Sequence, residues 1–383
     1  MASPDSLRIA GASAGQLEQE SKASLGPFVK NAWYAAAWNH EIGPEPFART
    51  ILNEPLVLFR DTVGDVVVLE DRCCHRHLPL SEGKVIGDIL QCGYHGLEFD
   101  RSGACVKVPG QTRVPPGGIV RTWPVLEKYQ YVWVWMGDPD KADEALLPDW
   151  HVMDDPGWAV VKGDPPFHIP CHYELFNDNL LDLSHLAYVH IKNIGTSAVP
   201  DFPIVTTRGE NSVRMIRWIL DSAPAPLYAR FGGFEDNIDR WQYAEAMVPS
   251  FNTVRVGCMP AGSGAQAGDH PDDIARGPGG REGQGFEFYN LNAITPETEN
   301  STWYFYAHSR NFALEDPEMD EEFRVGLRGA FQDDVDILAA QQMNMDRHAH
   351  NAKDWIDINV DGPGLALRKM VDDALASEIK TSF

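Results

Sequence analysis

The chain contains no apolar run as long as the roughly 18 residues that a membrane-spanning helix needs, so no span is expected. Positive charge is scarce: 32 Lys and Arg stand against 56 Asp and Glu, for a net charge of −24. That balance argues against nucleic acid and anionic membrane surfaces, which both select basic proteins. It names no partner, although a protein with a basic docking patch would suit it. Cysteine is also sparse, with six in 383 residues, which does not make a disulfide framework. Residues 1–27 are rich in Ser, Ala and Gly and lack the apolar centre of a signal peptide. They read as a disordered tail, and the chain as a cytoplasmic protein. No internal repeat is present.

What is there divides into two textures, as the length prior of about two domains suggests. Residues 28–139 alternate short apolar segments with turns, among them Leu56-Val57-Leu58-Phe59, Val66-Val67-Val68-Leu69 and Tyr131-Val132-Trp133-Val134-Trp135. Such spacing predicts a small all-β domain. Gly137-Asp138-Pro139-Asp140 interrupts it and marks the boundary. Residues 140–383 mix strands with helices, predicted over Glu174–His190, Pro317–Met345 and Ala366–Ile379. The Gly-rich stretch 261–285 reads as a flexible loop or lid that helps line a pocket.

Two Cys/His pairs stand close together in the first domain. Cys73-x-His75 lies in Asp71-Arg72-Cys73-Cys74-His75-Arg76-His77, and Cys92-x2-His95 lies in Gln91-Cys92-Gly93-Tyr94-His95-Gly96. Two thiolates on one iron and two imidazoles on the other make a Rieske 2Fe–2S cluster, whose His ligation raises the potential. Two alternatives compete. Cys74-x2-His77 with Cys92-x2-His95 would hold tetrahedral zinc, and Cys73 or Cys74 could bridge to Cys92 as a disulfide. The unequal CxH and CxxH spacing favours the cluster, as do the turn formers Pro79, Gly83, Gly93 and Gly96, which let backbone N–H groups approach sulfur. Cys73 is taken as the ligand because only it gives the CxH spacing.

A second cluster of donors follows. In Asn179-Leu180-Leu181-Asp182-Leu183-Ser184-His185-Leu186-Ala187-Tyr188-Val189-His190, Asp182 and His185 are three apart and would share a helical face. His190 fits that face poorly, so a helix break or π-bulge is expected between His185 and His190. A carboxylate completes such a site in mononuclear iron enzymes. Phe323, Leu327, Ala330, Ile337, Leu338 and Gln341 recur at helical steps as an inward stripe, and Asp334 falls on it. A buried carboxylate needs a metal or a cation to offset its desolvation. Asp333 and Asp336 fall on other faces.

These residues together resemble the Rieske non-haem iron oxygenase components, most closely the vanillate O-demethylase group that includes dicamba demethylase. The likeness spans nearly all of the chain after residue 27. Its anchors are Lys30-Asn31-Ala32-Trp33-Tyr34, Cys92-Gly93-Tyr94-His95-Gly96-Leu97-Glu98, Asp178-Asn179-Leu180-Leu181-Asp182-Leu183-Ser184-His185, Trp303-Tyr304-Phe305 and Phe331-Gln332-Asp333-Asp334. The resemblance implies an α+β fold, an N-terminal all-β Rieske domain followed by a helix-grip (START-like) catalytic domain with an antiparallel sheet. It implies that Cys73, His75, Cys92 and His95 hold the cluster and that His185, His190 and Asp334 hold Fe(II). Asp182 would bridge an iron-bound His to a cluster His of a neighbouring subunit in a homotrimer, with Asn179 close to the iron. Electrons would come from NAD(P)H through an FMN/2Fe–2S reductase or a ferredoxin–reductase pair. The implied reaction uses O2 to hydroxylate an aromatic substrate, most simply by O-demethylation of a methoxy-aromatic acid such as vanillate. Ring hydroxylation or N-demethylation on the same scaffold, and a pure Rieske electron carrier, are the rivals. Relatives often carry Pro where this chain has Cys74, and a different residue at His77.

Overall fold

The computed structural model describes residues 28–274, 285–349 and 355–381. The expected tail therefore lies outside the described residues, as does part of the Gly-rich loop. The first domain contains β1 (Trp33–Trp38), β2 (Phe47–Ile51), β3 (Glu54–Arg60), β4 (Val66–Glu70), β5 (Lys84–Ile86), β6 (Ile89–Gln91), β7 (Glu98–Phe99), β8 (Cys105–Lys107), β9 (Val125–Lys128) and β10 (Tyr131–Trp135). They form three antiparallel sheets ordered β1-β10-β9, β2-β3-β4 and β5-β6-β7-β8. The segments forecast as strands are strands because alternating Val, Leu and aromatic residues fill both faces of short extended runs. Val57, Phe59, Val67, Leu69, Leu90 and Phe99 pack into one cluster beneath the two Cys/His loops.

The second domain is built on one antiparallel sheet. Its strands are β11 (Ala159–Lys162), β12 (Phe167–Ile169), β13 (Val205–Arg208), β14 (Ser212–Ser222), β15 (Ile238–Met247), β16 (Phe251–Pro260), β17 (Phe286–Thr298) and β18 (Ser301–Arg310). The order is β11-β18-β17-β16-β15-β14-β13, with β12 also on β18. Helices α1 (Tyr173–Leu181), α2 (Pro226–Gly232), α3 (Arg328–His348) and α4 (Gly362–Thr381) accompany the sheet, with shorter helical turns at Pro271–Ile274 and Pro317–Glu322. The expected α+β architecture with an antiparallel catalytic sheet is the observed one.

Register assigns the two sheet faces. Val254 pairs with Asn290 and Ala244, and Val256 with Phe288 and Gln242. Opposite residues of an antiparallel pair project to the same side, so these residues share the face toward α1 and α3. Phe251, Leu291, Ala293 and Phe305 take the other face and pack on Trp38, Tyr131, Trp133 and Trp135 of the first domain. Trp133 meets Phe251 edge-on, with ring centroids 5.5 Å apart. This aromatic cluster fixes the two domains through buried apolar area, without an interdomain disulfide.

Three expectations need correction. The helix forecast over Glu174–His190 ends at Leu181, and residues Leu183–Ala187 form a 3-10 helix. A first break thus precedes His185, because the Asp182 side chain takes the Ser184 amide (2.8 Å) and starts a new turn; the break expected between His185 and His190 is also present, where the 3-10 helix ends at Ala187. A π-helical segment does occur, but over Phe323–Leu327, ahead of α3. On that long helix Phe323, Leu327, Ala330 and Leu338 are buried as expected, whereas Ile337 and Gln341 are exposed and Val335 and Gln342 are buried in their place. The π turn shifts the phase of the buried stripe, which a uniform 3.6-residue count misses. Finally, residues 261–274 line no part of the cavity beside Asp334. They pack on the opposite sheet face, where Ala265 joins Trp218 and Trp241 and Trp218 Nε1 donates to the Asp269 carbonyl at 2.9 Å.

Candidate active site

The two Cys/His loops have closely matched backbones. Cys73 N–H donates to the Leu78 carbonyl (2.9 Å) and His77 N–H to the Cys73 carbonyl (3.0 Å); Cys92 N–H donates to Leu97 (2.8 Å) and Gly96 N–H to Cys92 (3.1 Å). His77 and Gly96 therefore occupy equivalent turn positions, and both have left-handed backbones, at φ 58° and 71°. A side chain on Gly83 would strike the Gln91 carbonyl, and one on Gly93 the Glu82 carbonyl, so these glycines let the loops press together.

Cys73 and Cys92 are buried, while His75 and His95 are exposed with ring centroids 4.6 Å apart. Burial pushes the Cys73 thiol up; the His75 backbone N–H opposes this, and the adjacent Cys92 thiol adds to it. Cys74 meets the Ile119 main chain and lies near both Cys92 and Cys105. All six cysteines are free, so no disulfide joins Cys73 or Cys74 to Cys92. Two inward thiols and two outward imidazoles fit a cluster with sulfur-bound iron inside and histidine-bound iron at the surface.

The second donor set assembles from three separate elements. His185 comes from the 3-10 turn after α1, His190 from the loop beyond it and Asp334 from α3. One donor atom from each lies within 4.8 Å of the others. Asp334 Oδ1 is 3.0 Å from His190 Nε2 and 3.4 Å from His185 Nε2. Asn179 Nδ2 donates to the same oxygen at 3.2 Å. Burial works against ionising Asp334, but hydrogen bonds with the two histidines outweigh it and hold the carboxyl at about 2. His185 Nδ1 meets the main-chain carbonyl of Asp182. A carbonyl only accepts, so Nδ1 carries a proton, and a metal that displaced the Nε2 proton shared with Asp334 would meet the Nε2 lone pair. Two imidazoles and a carboxylate on one side of a pocket fit a mononuclear iron with open positions.

Asp182 is half-buried. It borders a cavity of about 270 Å³ together with Asp178, Trp355, Asp361 and Arg368. A second cavity of about 40 Å³ touches all three donors, and its apolar walls include Leu183, Val256, Phe288, Leu327 and Phe331. A volume of that size suits a few waters, so an aromatic ring enters only when those side chains part. His308 is on the same sheet face, with Nδ1 at 2.5 Å from Asn290 Oδ1; burial drives its pKa down to about 3 and keeps it neutral. Sequence reasoning missed the strand-borne walls. Their trace is the period-two placing of Asn290, Asn292, Gln242 and Arg240, but both sheet faces are buried, so polarity alone does not choose between them.

Comparison with known proteins decides the class. The model of the Rieske [2Fe-2S] domain matches residues 32–124, and that of the vanillate O-demethylase oxygenase C-terminal domain matches residues 169–377. The chain is a Rieske oxygenase. It is 38% identical to the toluene-4-sulfonate monooxygenase system iron-sulfur subunit of Comamonas testosteroni, over 82% of this chain and 88% of that one. It is 37% identical to the vanillate O-demethylase oxygenase subunit of a Pseudomonas strain, over 92% and 96%. Crystalline dicamba monooxygenase bound to 3,6-dichlorosalicylic acid superposes with a TM-score of 0.83 at 32% identity, over 92% of this chain and 99% of that one. The oxygenase is thus the oxygen-activating component of a multicomponent monooxygenase system, an iron-dependent oxidoreductase that carries a Rieske cluster and a mononuclear iron. This excludes the pure electron carrier. No helix among the described residues is long and apolar enough to cross a membrane.

Proposed function

We propose that this oxygenase O-demethylates a methoxy-aromatic acid. The observation that carries the reading is the donor trio of His185, His190 and Asp334 opening onto an apolar cavity shaped by Phe288, Leu327 and Phe331. Vanillate and toluene-4-sulfonate, named for two relatives, are aromatic anions with one small carbon substituent, which supports that substrate class here.

In this reading Cys73, His75, Cys92 and His95 hold the cluster, and His185, His190 and Asp334 hold the iron. When bound, these groups supply reducing electrons and O2 activation for inserting one oxygen atom into a methyl C–H bond. The hemiacetal so formed collapses to a phenol and formaldehyde without a protein nucleophile. The chain's own work is positioning. The Asp182 carbonyl fixes the His185 tautomer, Asn179 holds the Asp334 oxygen, and the apolar walls exclude water from the reacting carbon. The exposed His75 and His95 edges suit electron entry from a reductase or ferredoxin. They also suit docking against Asp182 of a neighbouring copy in a homotrimer.

The test supplies a surrogate reductase and NADH and screens methoxybenzoates for formaldehyde. Formaldehyde equal to substrate consumed supports the reading. Ring-hydroxylated product without formaldehyde overturns it in favour of ring hydroxylation.

A further inference from the structure

Arg240 is 2% exposed and lies on the cavity face of β15. It pairs across the sheet with Cys258, one step along that face from Gln242–Val256 and two from Ala244–Val254. Val254 and Val256 line the cavity that touches His185, His190 and Asp334. The guanidinium carbon stands 4.4 Å from the ring centroid of Tyr228, another residue of that cavity wall. Its Nη2 donates to the Tyr228 hydroxyl at 3.3 Å. Nε and Nη1 are buried with no hydrogen-bond partner. Among the described residues Arg240 has no carboxylate within 4.0 Å.

Arg310, buried on the same sheet face, shows the ordinary solution, an ion pair with Asp320 at 2.6 Å. Arg240 instead adds to the positive charge around it. Its neighbour Arg217 is held by Ser184 Oγ at 2.7 Å and Gln242 Oε1 at 3.2 Å. Burial lowers the Arg217 pKa to about 10; Asp182 opposes that and Arg240 reinforces it. A buried guanidinium with free donors and no counter-charge is costly unless an anion completes it. The planar donor set of arginine matches carboxylate and sulfonate oxygens.

We propose that Arg240 is the anion receptor of the substrate cavity. The carboxylate or sulfonate of an aromatic substrate accepts from the free guanidinium N–H groups. The ring then lies along Tyr228, Val256 and Phe288, with the opposite end of the substrate directed at the donor trio. This assigns a specificity-determining residue and deepens the proposed function, on which the placing of the reacting end rests.

The test uses the protein loaded with cluster and iron, as wild type, Arg240→Gln and Arg240→Lys. Each is titrated calorimetrically with vanillate, with 4-toluenesulfonate and with vanillamide as the neutral counterpart. Wild type should bind the two anions about 10-fold or more tighter than the amide. Arg240→Gln should lose that preference while binding vanillamide within about 2-fold of wild type, and Arg240→Lys should keep part of it. Thermal melts give a second readout. Ligand-free Arg240→Gln should melt no lower than wild type, because it sheds an unpaired buried charge, yet lose the upward shift that vanillate causes. The proposal is overturned by an unchanged anion preference in Arg240→Gln, by wild type binding neither anion, or by a lower ligand-free melting point in Arg240→Gln. Turnover in the same samples separates the two readings. Arg240-dependent anion binding without any oxygenated product sinks the demethylase and leaves the receptor. Formaldehyde release indifferent to both ring charge and residue 240 sinks the receptor and leaves the demethylase.

Discussion

His185 donates through Nδ1 to the main-chain carbonyl of Asp182, while the carboxylate of the same residue accepts from the Ser184 amide. Two functions are thereby divided between two parts of one residue. The carbonyl orients the metal-facing imidazole, and the carboxylate is left at the cavity shared with Asp178 and Asp361. Asp182→Asn keeps the carbonyl and an oxygen for the Ser184 cap, so iron content should stay at the wild-type level. Turnover with a surrogate reductase should fall on the order of 100-fold if the negative charge links the iron site to a neighbour's cluster. Equal turnover in Asp182→Asn would remove the carboxylate from the electron route.

The choice of Cys73 over Cys74 is tested by serine substitution. Cys73 is buried and hydrogen-bonded with Cys92, whereas Cys74 is partly exposed and meets the Ile119 main chain, with Cys92 and Cys105 near it. Cys73→Ser should abolish the visible absorption and the electron paramagnetic resonance signal of the reduced cluster. Cys74→Ser should retain both, with sulfide content unchanged. The opposite pattern would move the ligand by one residue and reopen the CxxH reading of Cys74 and His77.

Much of the fold and the donor residues could be read before the structure, and the failures share a cause. The strands around Leu58, Val67 and Trp133 and the long C-terminal helices follow from local periodicity, which needs no tertiary information. Asp334 was found because one polar residue on an otherwise buried stripe is locally visible. Ile337 and Gln341 were misassigned because the π turn at Phe323–Leu327 changes helical phase, and no residue type signals it. The break between His185 and His190 is legible from their spacing, whereas the additional break at Asp182 is not, because an Asp that caps a following turn resembles an Asp on a helix surface. Arg240 and Asn290 were invisible as site residues since their role depends on which sheet face meets α1 and α3, a matter of strand order and not of neighbours in sequence.

Asn179 and Asp334 bear on iron retention to different degrees. Asp334 supplies the only carboxylate of the donor trio, so Asp334→Ala should lower iron from about three to about two atoms per chain and leave the cluster spectrum intact. Turnover should vanish with it. Asn179 only donates to Asp334 Oδ1, at 3.2 Å. Asn179→Ala should weaken Fe(II) binding by roughly 10–100-fold, measured by chelator competition, with turnover restored at high Fe(II). Failure of added iron to restore Asn179→Ala would show that the amide also touches substrate or the reacting atoms.

Glu174 gives the second domain a pH dependence that can be isolated. It is 4% exposed near the start of α1, and burial raises its pKa from 4.5 to about 7, with Arg368 of α4 opposing the rise. Arg368 is already bound by Asp178, through Nε at 3.0 Å, so Glu174 adds a second carboxylate to a cation that one carboxylate serves. A carboxyl whose pKa is higher in the folded than in the unfolded chain contributes stability below the unfolded value, and that contribution is lost as pH rises through the folded value. Wild type should therefore lose stability relative to Glu174→Gln between about pH 5 and pH 8, by on the order of 1–3 kcal/mol. Denaturant unfolding of the two proteins at several pH values checks the sign. If Glu174→Gln instead loses ground as pH rises, the ion pair with Arg368 outweighs burial and Glu174 is a stabilising anion.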